Sequence, residues 1–166
     1  MISNTALKRV VTRNDLRLHV ELMGIGNAVR QYLAEGKFKQ DRAFDCHAIC
    51  RGVSLYNQTL RTKTGFYMGV TKVERKKGVM WVSTIRCMHS WLKTPDGAII
   101  DTYPVGFIAA HPILVASRGK YRAYGSGLYV EDKHAAEKYS TGAVQRNSKV
   151  FFGLIQKACA AFPELL

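Results

Sequence analysis

The sequence predicts an α+β fold. Three observations carry that reading. Apolar residues recur at helical spacing near the start, β-branched and aromatic runs broken by turn residues fill the middle, and a helical pattern returns at the end. Helices first, an antiparallel meander next and a closing helix give segregated layers, in contrast to the strand–helix alternation of a parallel sheet.

Asn14 and Asp15 are N-cap-type residues, and Leu18, Leu22, Ile25, Val29 and Leu33 follow at helical spacing until Gly36 stops the pattern. This predicts a helix over about 14–35, with Gly24 and Gly26 marking close packing or a kink. Lys37 to Phe44 reads as a charged connector. A second helix is expected from Asp45 to Leu60, with Ile49, Val53, Tyr56 and Leu60 on one stripe. The period then changes. Gly65–Val73 reads as a strand, Glu74–Gly78 as a polar turn and Val79–Leu92 as a long strand. Thr94-Pro-Asp-Gly97 is a turn, and Ala98–Asp101 a short returning strand. Pro112–Ala116 and Gly127–Val130 are further short strands, and Glu131–Tyr139 a short helix. The last helix is expected over about 147–162, burying Phe151, Leu154, Ile155, Ala158 and Phe162. With no repeat and no linker, residues 1–166 are expected to form one domain.

A hydrophobic fraction of 47% excludes a disordered chain, and no apolar run approaches a membrane span. The N-terminus has no apolar stretch behind Lys8 and Arg9, so no signal peptide is read there and a cytoplasmic protein is expected. The net charge is +13, beyond the magnitude of ~2–8 usual for a small domain, which points to an anionic partner: nucleic acid or an acidic protein. The cations are spread (Lys37, Lys39, Arg42; Arg61, Lys63; Lys72, Arg75, Lys76, Lys77; Arg118, Lys120, Arg122), which excludes a basic tail. Without a secretion signal, Cys46, Cys50, Cys87 and Cys159 are expected as free thiols.

Three residues point to chemistry. Cys46 falls at a predicted helix start, where unpaired N–H groups and the dipole favour a thiolate. His89 lies on a strand and Asp101 at the end of the next one. A hairpin that sets Leu92 and Lys93 against Ala98 and Ile99 brings Ser90 or His89 opposite Asp101 or its neighbour. An imidazole there takes the thiol proton, and a carboxylate fixes its tautomer. Cys50 is an alternative nucleophile on the same helical face, but beyond the reach of the terminal N–H groups. Alone, each residue has a plainer explanation: a packed thiol, a hydrogen-bonded core histidine, a turn aspartate.

Together they resemble the transglutaminase-like branch of the papain-like cysteine enzymes. His89-Ser-Trp-Leu-Lys-Thr-Pro-Asp-Gly-Ala-Ile-Ile-Asp101-Thr is similar to that family's His/Asp half. Cys46 with Ser54-Leu55, then Gly65-Phe-Tyr-Met-Gly69-Val, is similar to its Cys half. The layout also resembles lasso-peptide leader peptidases and small bacterial or phage relatives with a strand like Tyr124-Gly125. The resemblance covers about 42–131 and implies a catalytic helix packed on an antiparallel sheet, with the terminal helices packed on that core. It implies a thiol-dependent acyl transfer on a protein or peptide substrate, with Cys46 as nucleophile, His89 as base and Asp101 as its orienter. Gln40, ahead of the cysteine, and Trp91, beside the histidine, are the candidate oxyanion or supporting groups, next to the Cys46 N–H. No cofactor, metal or membrane is implied. Two departures stand out: the segment runs Asp-Thr-Tyr-Pro104, with proline later than usual, and Cys50 competes with Cys46.

Other chemistries fit parts of the chain. Cys46, His47, Cys50, Cys87 and His89 include enough ligand types for a zinc site, but structural zinc pairs favour loops over mid-helix and mid-strand positions. Tyr124-Gly-Ser-Gly-Leu-Tyr129 resembles a segment of ADP-ribosyltransferases, yet the catalytic glutamate those enzymes carry on a late strand has no counterpart beyond Glu164. Trp81 and Trp91 could stack nucleic-acid bases, although alternating strand positions more often pack. The rival to an enzyme is therefore a basic binding protein.

Overall fold

A computed structural model of the chain describes residues 11–39, 44–76, 79–102, 113–115, 121–122 and 128–166. The elements run α1 (Arg13–Ala34), α2 (Cys46–Tyr56), β1 (Arg61–Lys76), β2 (Val79–Lys93), β3 (Ile99–Asp101), β4 (Ile113–Val115), β5 (Tyr121–Arg122), β6 (Leu128–Glu131), α3 (Lys133–Lys138) and α4 (Gly142–Ala161). A short 3-10 turn, Pro163–Leu165, follows α4. The strands form a 6-stranded sheet in the order β4-β3-β2-β1-β6-β5, and every pairing is antiparallel. The mixed α+β class thus stands. Among the described residues, no helix is long and apolar enough to cross a membrane.

Local chemistry explains where the elements begin and end. The α1 N-cap is Thr12 rather than Asn14 or Asp15: its hydroxyl accepts from the Asp15 N–H, and Asp15 reaches back to the Thr12 N–H at 3.0 Å. Asp15 is buried and also accepts from Thr94 Oγ1 at 2.5 Å, which ties α1 to the β2–β3 turn. The second helix ends at Tyr56, short of the expected Leu60, because the Asn57 side chain accepts from the N–H and hydroxyl of Thr59 and starts a turn. The last helix begins at Gly142, ahead of the expected Asn147, and buried Val144 carries its inner face backwards by one turn. β1 runs through the expected polar turn, and Lys76 pairs with Val79. Gly97 at φ 89 closes the Thr94 turn, a conformation that costs glycine nothing.

The helices cover one face of the sheet. Leu18, Leu22 and Ile25 of α1, Ile49 and Val53 of α2 and Leu154, Ile155 and Ala158 of α4 form one core with Leu92 and Ile100. Each of these fully buried leucines and isoleucines contributes ~1.5–3 kcal/mol. α2 and α4 cross at Gly52, where an added Cβ would stand 2.8 Å from the Phe151 ring and 3.0 Å from the Ser148 carbonyl. Gly24 is likewise a packing position, facing the Leu165 carbonyl, while Gly26 meets little. On the opposite face of the sheet, Trp91, Ile99 and Tyr129 form a second cluster with Tyr67 packed on it.

The register of β2 and β3 sets the site. Lys93 pairs with Ile99 and Leu92 with Ile100, one residue away from the expected register, because Ala98 is spent in the turn, accepting from the Thr94 N–H. Continued, the observed register sets Asp101 opposite Trp91 and diagonal to His89, on the same face of the sheet. The expected neighbourhood of His89 and Asp101 is thus present, whereas pairing Lys93 with Ala98 would turn Asp101 to the other face.

Candidate active site

α2 begins where its sequence allows. Asp45 has the extended backbone of an N-cap, and its Oδ1 accepts from the Ala48 N–H at 2.7 Å. Its carbonyl accepts from the Ile49 N–H. The N–H groups of Cys46 and His47, in the first turn, have no intrahelical acceptor and point out of the helix. Cys46 is therefore the first helical residue, and it is 8% exposed.

β2 and β3 pair at Leu92 and Lys93, and α2 packs against β2 beside that pairing. There the Cys50 thiol donates to the Ser90 carbonyl at 3.2 Å and lies 3.3 Å from Thr102 Oγ1, so one side chain of α2 touches β2 and the residue that follows β3. One turn closer to the helix start, the Cys46 thiol meets two imidazoles, those of His47 and His89.

His89 is buried, and its Nε2 lies 2.8 Å from Asp101 Oδ2. That leaves Nδ1 as the ring nitrogen for the thiol. The same carboxylate oxygen accepts from the Tyr129 hydroxyl at 2.6 Å. Tyr129 is buried against Trp91, with ring centroids 5.1 Å apart and edge to face. Burial and the Asp101 charge push the Tyr129 phenol far above its ordinary range, so it stays a neutral donor.

The electrostatics of the pair follow. Burial pushes the Cys46 thiol up, but hydrogen bonds from His47 and His89 outweigh it and bring the group down to about 6. Burial pulls His89 down, but hydrogen bonds to Asp101 and Cys46 raise it to about 9. Between those values the favoured state is a thiolate beside an imidazolium.

A second set of contacts holds His47. Its Nδ1 lies 2.7 Å from Ser90 Oγ, which in turn lies 2.7 Å from Thr64 Oγ1, all buried. Tyr139 at the end of α3 stacks on the ring at 3.8 Å and 17°. The imidazole is thus fixed by a hydrogen bond on one edge and a ring on its face.

The structure brings Cys46, His89 and Asp101 into one cluster. Cys50 stands apart from them chemically: it is fully buried, and desolvation raises its thiol well above the ordinary value, which makes it a poor nucleophile. Trp91 is 1% exposed, with its ring 6.4 Å from that of His89, so it supports the cluster by packing and is closed to an oxyanion or a nucleic-acid base. Gln40 lies outside the described residues, as do Arg42, Pro104 and the Tyr124–Gly127 segment. Nothing is described of the Trp81 side chain. Cys87 is exposed, opposite Tyr67 on the sheet. The cysteines of the described residues are all free, and no group of three or more His, Cys, Asp or Glu among those residues converges as a metal site would need.

Two residues of the cluster are not part of the thiol site read from the sequence, where His47 is weighed only as a zinc ligand and Tyr129 only within the ADP-ribosyltransferase-like segment. His47 had a signal: a histidine directly after a cysteine at a helix start. Tyr129 had none, since its partner Asp101 is 28 residues away and the link depends on sheet order. No protein-family model, curated protein or solved structure matches the chain.

Proposed function

We propose that the protein is a thiol-dependent acyl-transfer enzyme of papain-like design, acting as a peptidase, an amidase or a transglutaminase-like transferase. One observation carries the proposal: a thiol at a helix start rests against a histidine whose far nitrogen is held by a buried aspartate. The Cys46 thiolate attacks the carbonyl carbon of an amide, and the carbonyl oxygen gains the charge. The N–H groups of Cys46 and His47 are the donors available for it. The intermediate collapses with cleavage of the C–N bond, and the His89 imidazolium gives its proton to the departing amine. A thioester to Cys46 remains. Water, or an amine in a transferase, gives a proton to neutral His89 and attacks the thioester. The thiolate departs, and the imidazolium is restored for the next cycle.

Asp101 keeps His89 in the tautomer and orientation this sequence needs, and Tyr129 keeps Asp101 in place. The protein or peptide nature of the substrate rests on the family resemblance. A peptidyl electrophile with a reporter group tests the proposal. It should label wild type at Cys46, verified by mass spectrometry of the modified peptide, should fail on Cys46→Ala, and at pH 6 should be slowed by about an order of magnitude on His89→Ala. Labelling of Cys87 in place of Cys46 would overturn it. A basic nucleic-acid binder, the rival class, would show no such labelling, and its affinity for DNA would fall steeply with salt.

A further inference from the structure

A second feature lies along α2, one helical turn beyond His47. The C-terminal half of α2, the start of β1 and the first half of α4 border an open cleft of about 480 Å³. Three cations line it, one from each element: Arg51, Arg61 and Lys149. Among the described residues, no carboxylate lines it. None of the three cations makes an ion pair among the described residues, whereas Lys63 and Lys93 nearby both reach Glu131. Among those residues, Arg51 Nε is the buried side-chain polar atom with no hydrogen-bond partner. A buried donor left unsatisfied is costly, and native proteins seldom keep one without use. The other polar groups that face the cleft are engaged: Ser54 and Thr62 bond each other at 2.7 Å, Ser148 donates to the Val144 carbonyl, and the Gln145 amide donates to the Ser140 carbonyl at 3.1 Å. The cations are thus the groups left to hold a ligand. Buried Leu60 and half-exposed Leu55 give the cleft an apolar side.

We propose that this cleft binds a small phosphorylated molecule, its phosphate held by Arg51, Arg61 and Lys149 and its organic part lying against Leu55 and Leu60. Three cations drawn from three separate elements suit the tetrahedral oxygens of phosphate better than the two coplanar oxygens of a carboxylate. Guanidinium groups match phosphate in pairs of hydrogen bonds, and the volume falls within the ~300–1,000 Å³ of small-ligand sites. One oxygen on Arg51 Nε would satisfy the orphaned donor. The site is independent of the thiol chemistry.

Isothermal titration of the full chain with pyrophosphate tests it. One saturable site is expected, and Arg51→Gln and Arg61→Gln should each weaken binding by about tenfold or more, as loss of a charge-assisted hydrogen bond does. Arg61 is exposed at the strand start, so its variant remains informative if Arg51→Gln does not fold. Lys157→Gln, on an exposed position of α4 away from the cleft, should bind as wild type does. So should Cys46→Ala, which separates this site from the acyl-transfer proposal. Absence of saturable binding overturns the inference. Citrate binding as tightly as pyrophosphate, an equal loss in Lys157→Gln, or binding only by a long oligonucleotide that ignores Arg51 would also overturn it, since each reports general attraction to a +13 chain.

Discussion

Replacing His89 with alanine should move the ionisation of Cys46, and the size of the effect can be worked out. In the wild type the thiol lies at about 6, so roughly half is thiolate at pH 6 and nearly all at pH 7.5. Without His89 the sulfur loses that ring's hydrogen bond and charge, while burial still opposes the thiolate and His47 still favours it. Taking the ordinary cysteine value of ~8.5 for the variant, the ionised fraction at pH 6 falls roughly 160-fold. A more basic thiolate is also a better nucleophile: a Brønsted slope of ~0.45 over that interval makes it roughly 13-fold more reactive. The net loss of alkylation rate is then roughly 12-fold at pH 6, only roughly twofold at pH 7, and it reverses to a gain above about pH 7.4. The assay is iodoacetamide modification of Cys46 followed by peptide mass spectrometry from pH 5 to 10. A single measurement at pH 7 would nearly miss the effect, so the crossing of the two profiles is the diagnostic. If the wild-type midpoint lies at the ordinary cysteine value, or if the two profiles superimpose, the thiolate–imidazolium pair does not exist and the cluster is packing.

Further outcomes follow from the same contacts. For any amide or ester that the enzyme turns over, kcat/KM should be bell-shaped in pH. It should rise through about 6 as Cys46 ionises and fall through about 9 as His89 loses its proton. Tyr129→Phe keeps the ring against Trp91 but removes the hydroxyl from Asp101, and urea unfolding should show a loss of ~1.5–3 kcal/mol, the range for a hydrogen bond to a charged group. Cys50→Ala should leave the Cys46 alkylation profile in place while lowering stability by ~1 kcal/mol in the same unfolding assay, because Cys50 is packed and neutral. Gly65→Ala should be far more disruptive, since its Cβ would fall 1.9 Å from the Val130 carbonyl, and circular dichroism melting should show a drop of ~10 °C or more or failure to fold.

Much of this protein was legible in local sequence. The helical stripe from Leu18 to Val29, the stripe from Phe151 to Ala158 and the Thr94–Gly97 turn each depend on residues within a turn or two of one another, and each formed near where it was read. Cys46 at a helix start was legible for the same reason: an aspartate cap and an apolar stripe are short-range signals. The ends of α2 and α4 were not, because they turned on one asparagine side chain and on a buried face supplied by neighbouring elements. The site itself was decided by the tertiary structure. His89 and Asp101 share a face only because Ala98 falls in the turn, which displaces the register by one residue, and one residue in a strand is the difference between the two faces of a sheet. Tyr129 reaches Asp101 because β6 joins the sheet beside β1, and His47 is fixed by Ser90 and Tyr139, which no spacing brings together. Periodicity and capping reach a few residues along the chain, while sheet order, register and the packing of α2 on β2 are set by which surfaces bury each other.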